Sequence, residues 1–251
     1  MSSSPHPTAD LIVLIHGWSC RASDWDATLS ALASSAALPK CLAIELPGHG
    51  QHEHLPWSDW SIAGLARFVV DQLPESATIQ LVGHSMGGCV ALEAAAQLGE
   101  RARQVILVDT FSLPYGDMDT ATIDSIETPF REDFVAAMAY LVDNTTPSTL
   151  DSHTRDWIKT RMSGAAPEKM LPIWHNLLRW SPDSAFSRIQ CPIHAINGEH
   201  IAPAAQDRCA PFVKARVLAG CHHFLQFEQP ERFRQALLAL LNEGQTPPGW
   251  Q

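Results

Sequence analysis

Six apolar runs, each five or six residues long and rich in Val, Ile and Leu, constrain this chain more than any other feature. They are LIVLI at 11–15, CLAIEL at 41–46, IQLVG at 79–83, VILVD at 105–109, PIHAI at 192–196 and ARVLA at 215–219. The runs are continuous rather than alternating, which predicts strands buried on both faces, as in a parallel sheet. Helical patterns lie between them. SDWDATLSALASSA opens with Ser23 as the expected N-cap, SIAGLARFVVDQL follows Ser61, MGGCVALEAAAQLG follows Ser85, and PERFRQALLALLNEG runs from Pro230 to Gly244. Such alternation implies right-handed crossovers and an α/β three-layer sandwich around a mainly parallel sheet of about six strands.

One interval breaks the rhythm. More than eighty residues separate VILVD from PIHAI without a convincing buried strand. Residues 114–187 read instead as helices dense in large apolar groups, among them Phe130, Phe134, Met138, Trp157, Trp174 and Trp180. We expect an inserted helical cap over the C-terminal edge of the sheet, with 1–113 and 188–251 forming the core domain. Most of these side chains should build the cap's own small core, and a few should face a cleft beneath it.

Composition narrows the functional classes. Hydrophobic residues make up 45% of the 251 and charged residues 18%, which suits one globular domain with a sizeable core. A formal net charge of −10 argues against nucleic-acid binding, which needs a basic face. The run LIVLI is too short to span a membrane, and MSSSPHPTAD has neither the basic cluster nor the apolar segment of a signal peptide. The cysteines at 20, 41, 89, 191, 209 and 221 lie singly with no CxxC pair, so structural zinc is not expected. They read as reduced thiols of a cytoplasmic protein, although their even number leaves a disulfide open.

The chemistry concentrates in Gly83-His84-Ser85-Met86-Gly87. A serine on a sharp turn between strand and helix is forced into strained geometry, which lifts its hydroxyl above the sheet edge. Small residues two before and two after let strand and helix approach closely. The helix from Met86 aims its amides at the same spot. A serine hydroxyl needs a base. The candidate lies late, in AGCHHFLQFEQPERF, where the residues alone allow either His222 or His223. His84 is expected to pack or hydrogen-bond locally. The group His49, His52, Glu53 and His54 resembles a metal site only superficially: it fits no metal-binding spacing and reads as a loop, so no metal is expected.

Four segments together, LIHGW at 14–18, ELPGHG at 45–50, VGHSMGG at 82–88 and HFLQFEQPE at 223–231, resemble the α/β-hydrolase superfamily over nearly the whole chain. Counting back from Glu228 and Pro230, the resemblance places the catalytic histidine at His223, with His222 where the family usually has glycine. It also implies that the backbone amides of Trp18 and Met86 form the oxyanion hole, each such donor being worth on the order of 3 kcal/mol. Gly17 in the same loop, with Trp174 and His175 in the cap, are candidate substrate contacts. The family's acid position is departed from: in NGEHIAP, Ile201 stands where a carboxylate is expected. Two replacements remain, Asp109 at the end of VILVD, which we favour, and Glu199. Read by itself, Asp109 could instead cap the segment after it.

The implied activity is hydrolysis of a carboxylic ester of a small to medium, largely apolar substrate through an acyl-enzyme on Ser85, with no cofactor. The same resemblance extends to lactonases, C–C bond hydrolases and cofactor-free dioxygenases. It extends also to small-molecule receptors that keep the pocket without turnover. Epoxide hydrolases and dehalogenases place Asp where this chain has Ser85.

Overall fold

The computed structural model describes residues 10–35 and 37–243; residues 1–9 of the N-terminal stretch read above and Gly244 lie outside the described residues. Each of the six apolar runs forms a strand: β1 (Leu11–Ile15), β2 (Lys40–Ile44), β3 (Ile79–His84), β4 (Ala102–Val108), β5 (Ile193–Asn197) and β6 (Val213–Val217). They make one wholly parallel sheet in the order β2-β1-β3-β4-β5-β6. The order reverses beside β1, so the C-terminal ends of β1, β3 and β4 open side by side, where ligands of doubly wound sheets sit.

The described residues contain eleven α-helices: α1 (Asp26–Ala33), α2 (Ile62–Asp71), α3 (Met86–Leu98), α4 (Thr120–Glu132), α5 (Phe134–Thr145), α6 (Ser152–Ser163), α7 (Pro167–Leu178), α8 (Asp183–Arg188), α9 (Pro203–Cys209), α10 (Leu225–Glu228) and α11 (Pro230–Glu243). Side chains of β1 show why helices cover both faces. Val13 and Ile15 join one apolar cluster with Leu65, Val69 and Val90 of α2 and α3. Ile12 and Leu14 join another with Leu32 of α1 and Phe233, Leu237 and Leu240 of α11. A period of two puts alternate residues on opposite faces, and both faces are dry, which gives three layers.

Two expectations need correction. The runs at the two sheet edges are not buried on both faces: four of the five residues of β6 are exposed and only Ile44 of β2 is buried, because each edge strand pairs on one side only. Ser23 does not cap α1. A 3-10 turn over Ala22–Trp25 precedes that helix, and Asp24 accepts the Arg21 amide at 2.9 Å there. By contrast Ser61 caps α2, accepting the Gly64 amide at 3.0 Å.

Helices α4 to α8 fill the interval between β4 and β5 as a helical insertion. Three of them start on aspartate caps: Asp119 accepts from Thr122, Asp133 from Ala136 and Asp151 from Thr154, each worth about 1 kcal/mol. No helix among the described residues is long and apolar enough to cross a membrane. All six cysteines are free thiols.

Candidate active site

Ser85 sits at the junction of β3 and α3 with φ 52° and ψ −124°. Among the described residues only Ser19, Ser85 and Asp109 combine a side chain with positive φ. All three lie on loops at the C-terminal ends of β1, β3 and β4, so the backbone strain collects at one place in the fold. The Ser85 amide donates to the Val108 carbonyl at 2.9 Å, which ties the turn to β4. Gly83 and Gly87 make the turn possible. A Cβ on Gly83 would run into the Gly87 carbonyl, and one on Gly87 into the carbonyls of Ile15 and His16. Because backbone, not a flexible side chain, is in the way, Gly83→Ala should destabilise the fold by about 3 kcal/mol. Urea unfolding checks this; an unchanged midpoint would contradict the close approach.

His223 and Asp109 meet. The ring Nδ1 lies 2.6 Å from Asp109 Oδ2, and both side chains are largely buried. The other carboxylate oxygen accepts the Gly198 amide at 2.8 Å. A carboxylate accepting from Nδ1–H fixes the tautomer and leaves Nε2 as the proton acceptor. The His223 backbone is braced at both ends: its amide donates to the Thr145 carbonyl at 3.1 Å, and its carbonyl accepts from His84 Nε2 at 2.9 Å. The neighbouring amides of His222 and Phe224 both donate to the Glu228 carboxylate, at 2.6 and 2.8 Å. Glu228, a counting landmark in the sequence, is therefore the strut of the histidine loop. Ser85 and His223 line the same cavity, with no hydrogen bond between the hydroxyl and the ring. Such contacts often form only once substrate is bound.

Glu199 makes no hydrogen bond or ion pair with the His223 imidazole. It is exposed, and its Oε1 accepts the Gly220 amide at 3.0 Å. His222 turns its ring edge-on to His200, with centroids 4.2 Å apart, at the cavity wall.

The loop after β1 is held by two histidines, His16 and His49. His16 Nδ1–H donates to the Gly17 carbonyl at 2.8 Å, and its Nε2 lies 3.1 Å from both the Leu46 amide and Glu45 Oε1. His49 Nδ1–H donates to the Pro47 carbonyl at 3.0 Å, and its Nε2 accepts the Ser19 amide at 3.2 Å. Burial, reinforced by His16, pulls His49 down to about 3. Burial, reinforced by His223, does the same to His84. His52 Nδ1 donates elsewhere, to the Glu45 carbonyl at 2.7 Å, and His54 is exposed, so the histidines of this segment do not converge. The Cys20 amide also donates to the Gly17 carbonyl, at 3.2 Å. The peptide bond is planar and trans, so fixing that carbonyl turns the Trp18 N–H to the opposite side. Neither the Trp18 nor the Met86 amide has a hydrogen-bond partner among the described residues.

A cavity of about 240 Å³ opens beside Ser85 and His223. Gly17, Trp18, Ser85, Asp109 and His223 line it together with Phe130, Met162, Trp174 and Leu177 from the inserted helices. No lysine or arginine among the described residues lines it. His175 does not reach it. Its Nδ1 lies 2.9 Å from Glu127 Oε1 on α4, and nearly half the side chain is exposed. One residue along a helix turns the side chain by about 100°, so Trp174 and His175 cannot face the same way. Sequence reasoning also passed over Asn144, Thr145 and His200, which line the wall on loops and helix ends that carry no motif.

Residues 12–236 match the family model described as the alpha/beta hydrolase family. The pimeloyl-[acyl-carrier protein] methyl ester esterase of Nitrosomonas europaea is 25% identical over 247 residues, covering 91% of this chain and 94% of that protein. The dihydrolipoyllysine-residue acetyltransferase component of the acetoin cleaving system of Pseudomonas putida is also 25% identical, covering 92% of this chain but only 63% of that longer protein. The solved structure of an esterase from Exiguobacterium antarcticum superimposes with a TM-score of 0.78 at 14% identity, covering 95% of this chain and 94% of that one. At that identity the likeness speaks for the fold alone. The match to the family model spans most of the chain and both ends of the site, and this protein belongs to the alpha/beta hydrolase family.

Proposed function

We propose that this chain is a serine hydrolase that cleaves a carboxylic ester of a small to medium-sized apolar substrate through an acyl-enzyme. The observation that carries the reading is the 2.6 Å contact between His223 Nδ1 and Asp109, facing one cavity with a strained Ser85. Ser85 Oγ attacks the ester carbonyl while His223 Nε2 takes its proton. Asp109 holds the ring and stabilises the imidazolium. The Trp18 and Met86 amides receive the developing alkoxide. Collapse of the tetrahedral intermediate breaks the C–O bond, and His223 gives its proton to the departing alcohol. Water, deprotonated by the same ring, then releases the acid and restores Ser85.

The apolar wall of Trp18, Phe130, Met162 and Trp174 supports an uncharged acyl group. An esterase of similar length among the relatives supports the bond type. In this scheme residues 114–187 act as the lid over a core of 1–113 and 188–251. Six free thiols favour a reducing compartment, which we take to be the cytoplasm. A fluorophosphonate should label one residue per chain, Ser85, and short-chain p-nitrophenyl esters should be turned over. An adduct elsewhere, or tight binding of ester without turnover, would replace this reading with that of a receptor.

A further inference from the structure

Trp18 has two parts with different surroundings. Its amide belongs to the loop beside Ser85, but its side chain is buried in the inserted helices. The indole Nε1–H donates to the Met170 carbonyl of α7 at 2.9 Å, across 152 positions of sequence. The ring stacks on Trp174 of the same helix, with centroids 4.4 Å apart and planes 14° apart. Phe130 of α4 and Phe134 of α5 close on it edge-on, at 5.1 and 5.9 Å. A second tie lies six residues on, where Asp24 Oδ1 meets Arg161 Nε of α6 at 2.6 Å.

We infer that the Trp18 indole is a positioning group: hydrogen-bonded to Met170 and stacked on Trp174, it aims its own backbone amide, so that the oxyanion hole is complete only while the cap is seated. The inference rests on the catalytic reading above. The peptide plane carrying the Trp18 N–H is held at two points. His16 and the Cys20 amide hold the Gly17 carbonyl from the core side. The cap holds the Trp18 Cα through its side chain. If α7 moves, it drags that Cα and tilts the plane, while the Gly17 carbonyl stays where it was. The Met86 amide, at the start of α3 in the core, does not depend on α7. A lifted cap therefore admits substrate to Ser85 but offers one well-aimed donor instead of two. A displacement near 1 Å at a reacting group can cost about 100-fold in rate.

Trp18→Phe keeps an aromatic ring and removes the indole donor. Steady-state rates with p-nitrophenyl acetate and p-nitrophenyl hexanoate, and the affinity for an aryl boronic acid that mimics the oxyanion, test it. For both esters alike kcat should fall by about 10- to 100-fold. KM for acetate should stay close to wild type, whatever the altered wall does to KM for hexanoate, and boronic acid binding should weaken in parallel with kcat. A residue that merely shapes the acyl pocket would move KM for hexanoate and spare acetate; that pattern overturns the inference. If Trp18→Phe does not fold, Trp174→Phe keeps the indole bond and shortens the stack, and should give a smaller kcat loss of the same kind; an unchanged kcat overturns it too. A wild-type protein inactive on both esters would remove the catalytic reading and this inference with it. Active wild type with unaffected variants removes the inference alone.

Discussion

Asp109→Asn is expected to lower kcat by about 10⁴-fold while KM stays near wild type. The reason is the second partner of this side chain. The Gly198 amide donates to Asp109 Oδ1 at 2.8 Å, so an amide side chain there must present its oxygen to Gly198. Its NH2 then faces His223 Nδ1, at the place where a carboxylate oxygen now sits 2.6 Å away. A donor in that position turns Nδ1 into an acceptor and moves the ring proton to Nε2. The nitrogen facing Ser85 then has no lone pair to receive the hydroxyl proton. Glu199→Gln should leave kcat unaltered, since Glu199 reaches only the exposed Gly220 amide and an amide oxygen serves it equally well. Rates on p-nitrophenyl acetate, with urea unfolding to show that both variants fold, separate the two. Loss of activity in Glu199→Gln with Asp109→Asn retained would transpose the acid.

The proposed acid also shows how far the sequence could be read. Asp109 could be proposed because the resemblance allows an acid at the end of this strand, and a run in a parallel sheet delivers its last residue to the C-terminal edge. What brings it to His223 is non-local: its amide donates to the Ile196 carbonyl at 3.0 Å, and its φ of 46° turns the carboxylate toward β5 and the histidine loop. A propensity argument sees neither. The position expected of the acid holds Ile201, which is buried in the main apolar cluster instead. His175 was misplaced for the opposite reason, a local signal not used. Met170, Ile173, Trp174, Leu177 and Leu178 are all buried and recur at helical spacing, which fixes the inward face of α7 and puts His175 beside it. The contact of Trp18 with Met170 could not be read at all. Nothing near Trp18 marks its ring as cap-facing, and no local pattern links positions so far apart.

Acid should unfold this protein early, and by a route that runs through the site. His84 and His49 are buried and held at about 3, against an ordinary value of 6.5. Below about 6.5 the unfolded chain takes up a proton on each ring, and the native state does not. Unfolding therefore binds protons in the window between those values, and stability falls as pH drops through it. The loss levels off only near 3, where the native rings titrate. Each ring contributes a slope of about 1.4 kcal/mol per pH unit. From about pH 7 to about pH 5 the two together remove on the order of 4 kcal/mol. That is a large share of the 5–15 kcal/mol, roughly, by which domains are stable. Forced protonation also strikes the loops that matter. A proton on His49 Nε2 would face the Ser19 amide, donor against donor, in the loop that carries Trp18. Charge on His84 would be trapped beneath the His223 carbonyl that its Nε2 now holds. Urea titrations at several pH values measure the slope, and His49→Asn and His84→Asn should each remove about half of it, whatever they do to stability at neutral pH. A stability that stays flat between about pH 7 and about pH 5 would mean that these rings gain charge in the folded protein, and that the loops around Ser85 are wetter than their burial implies.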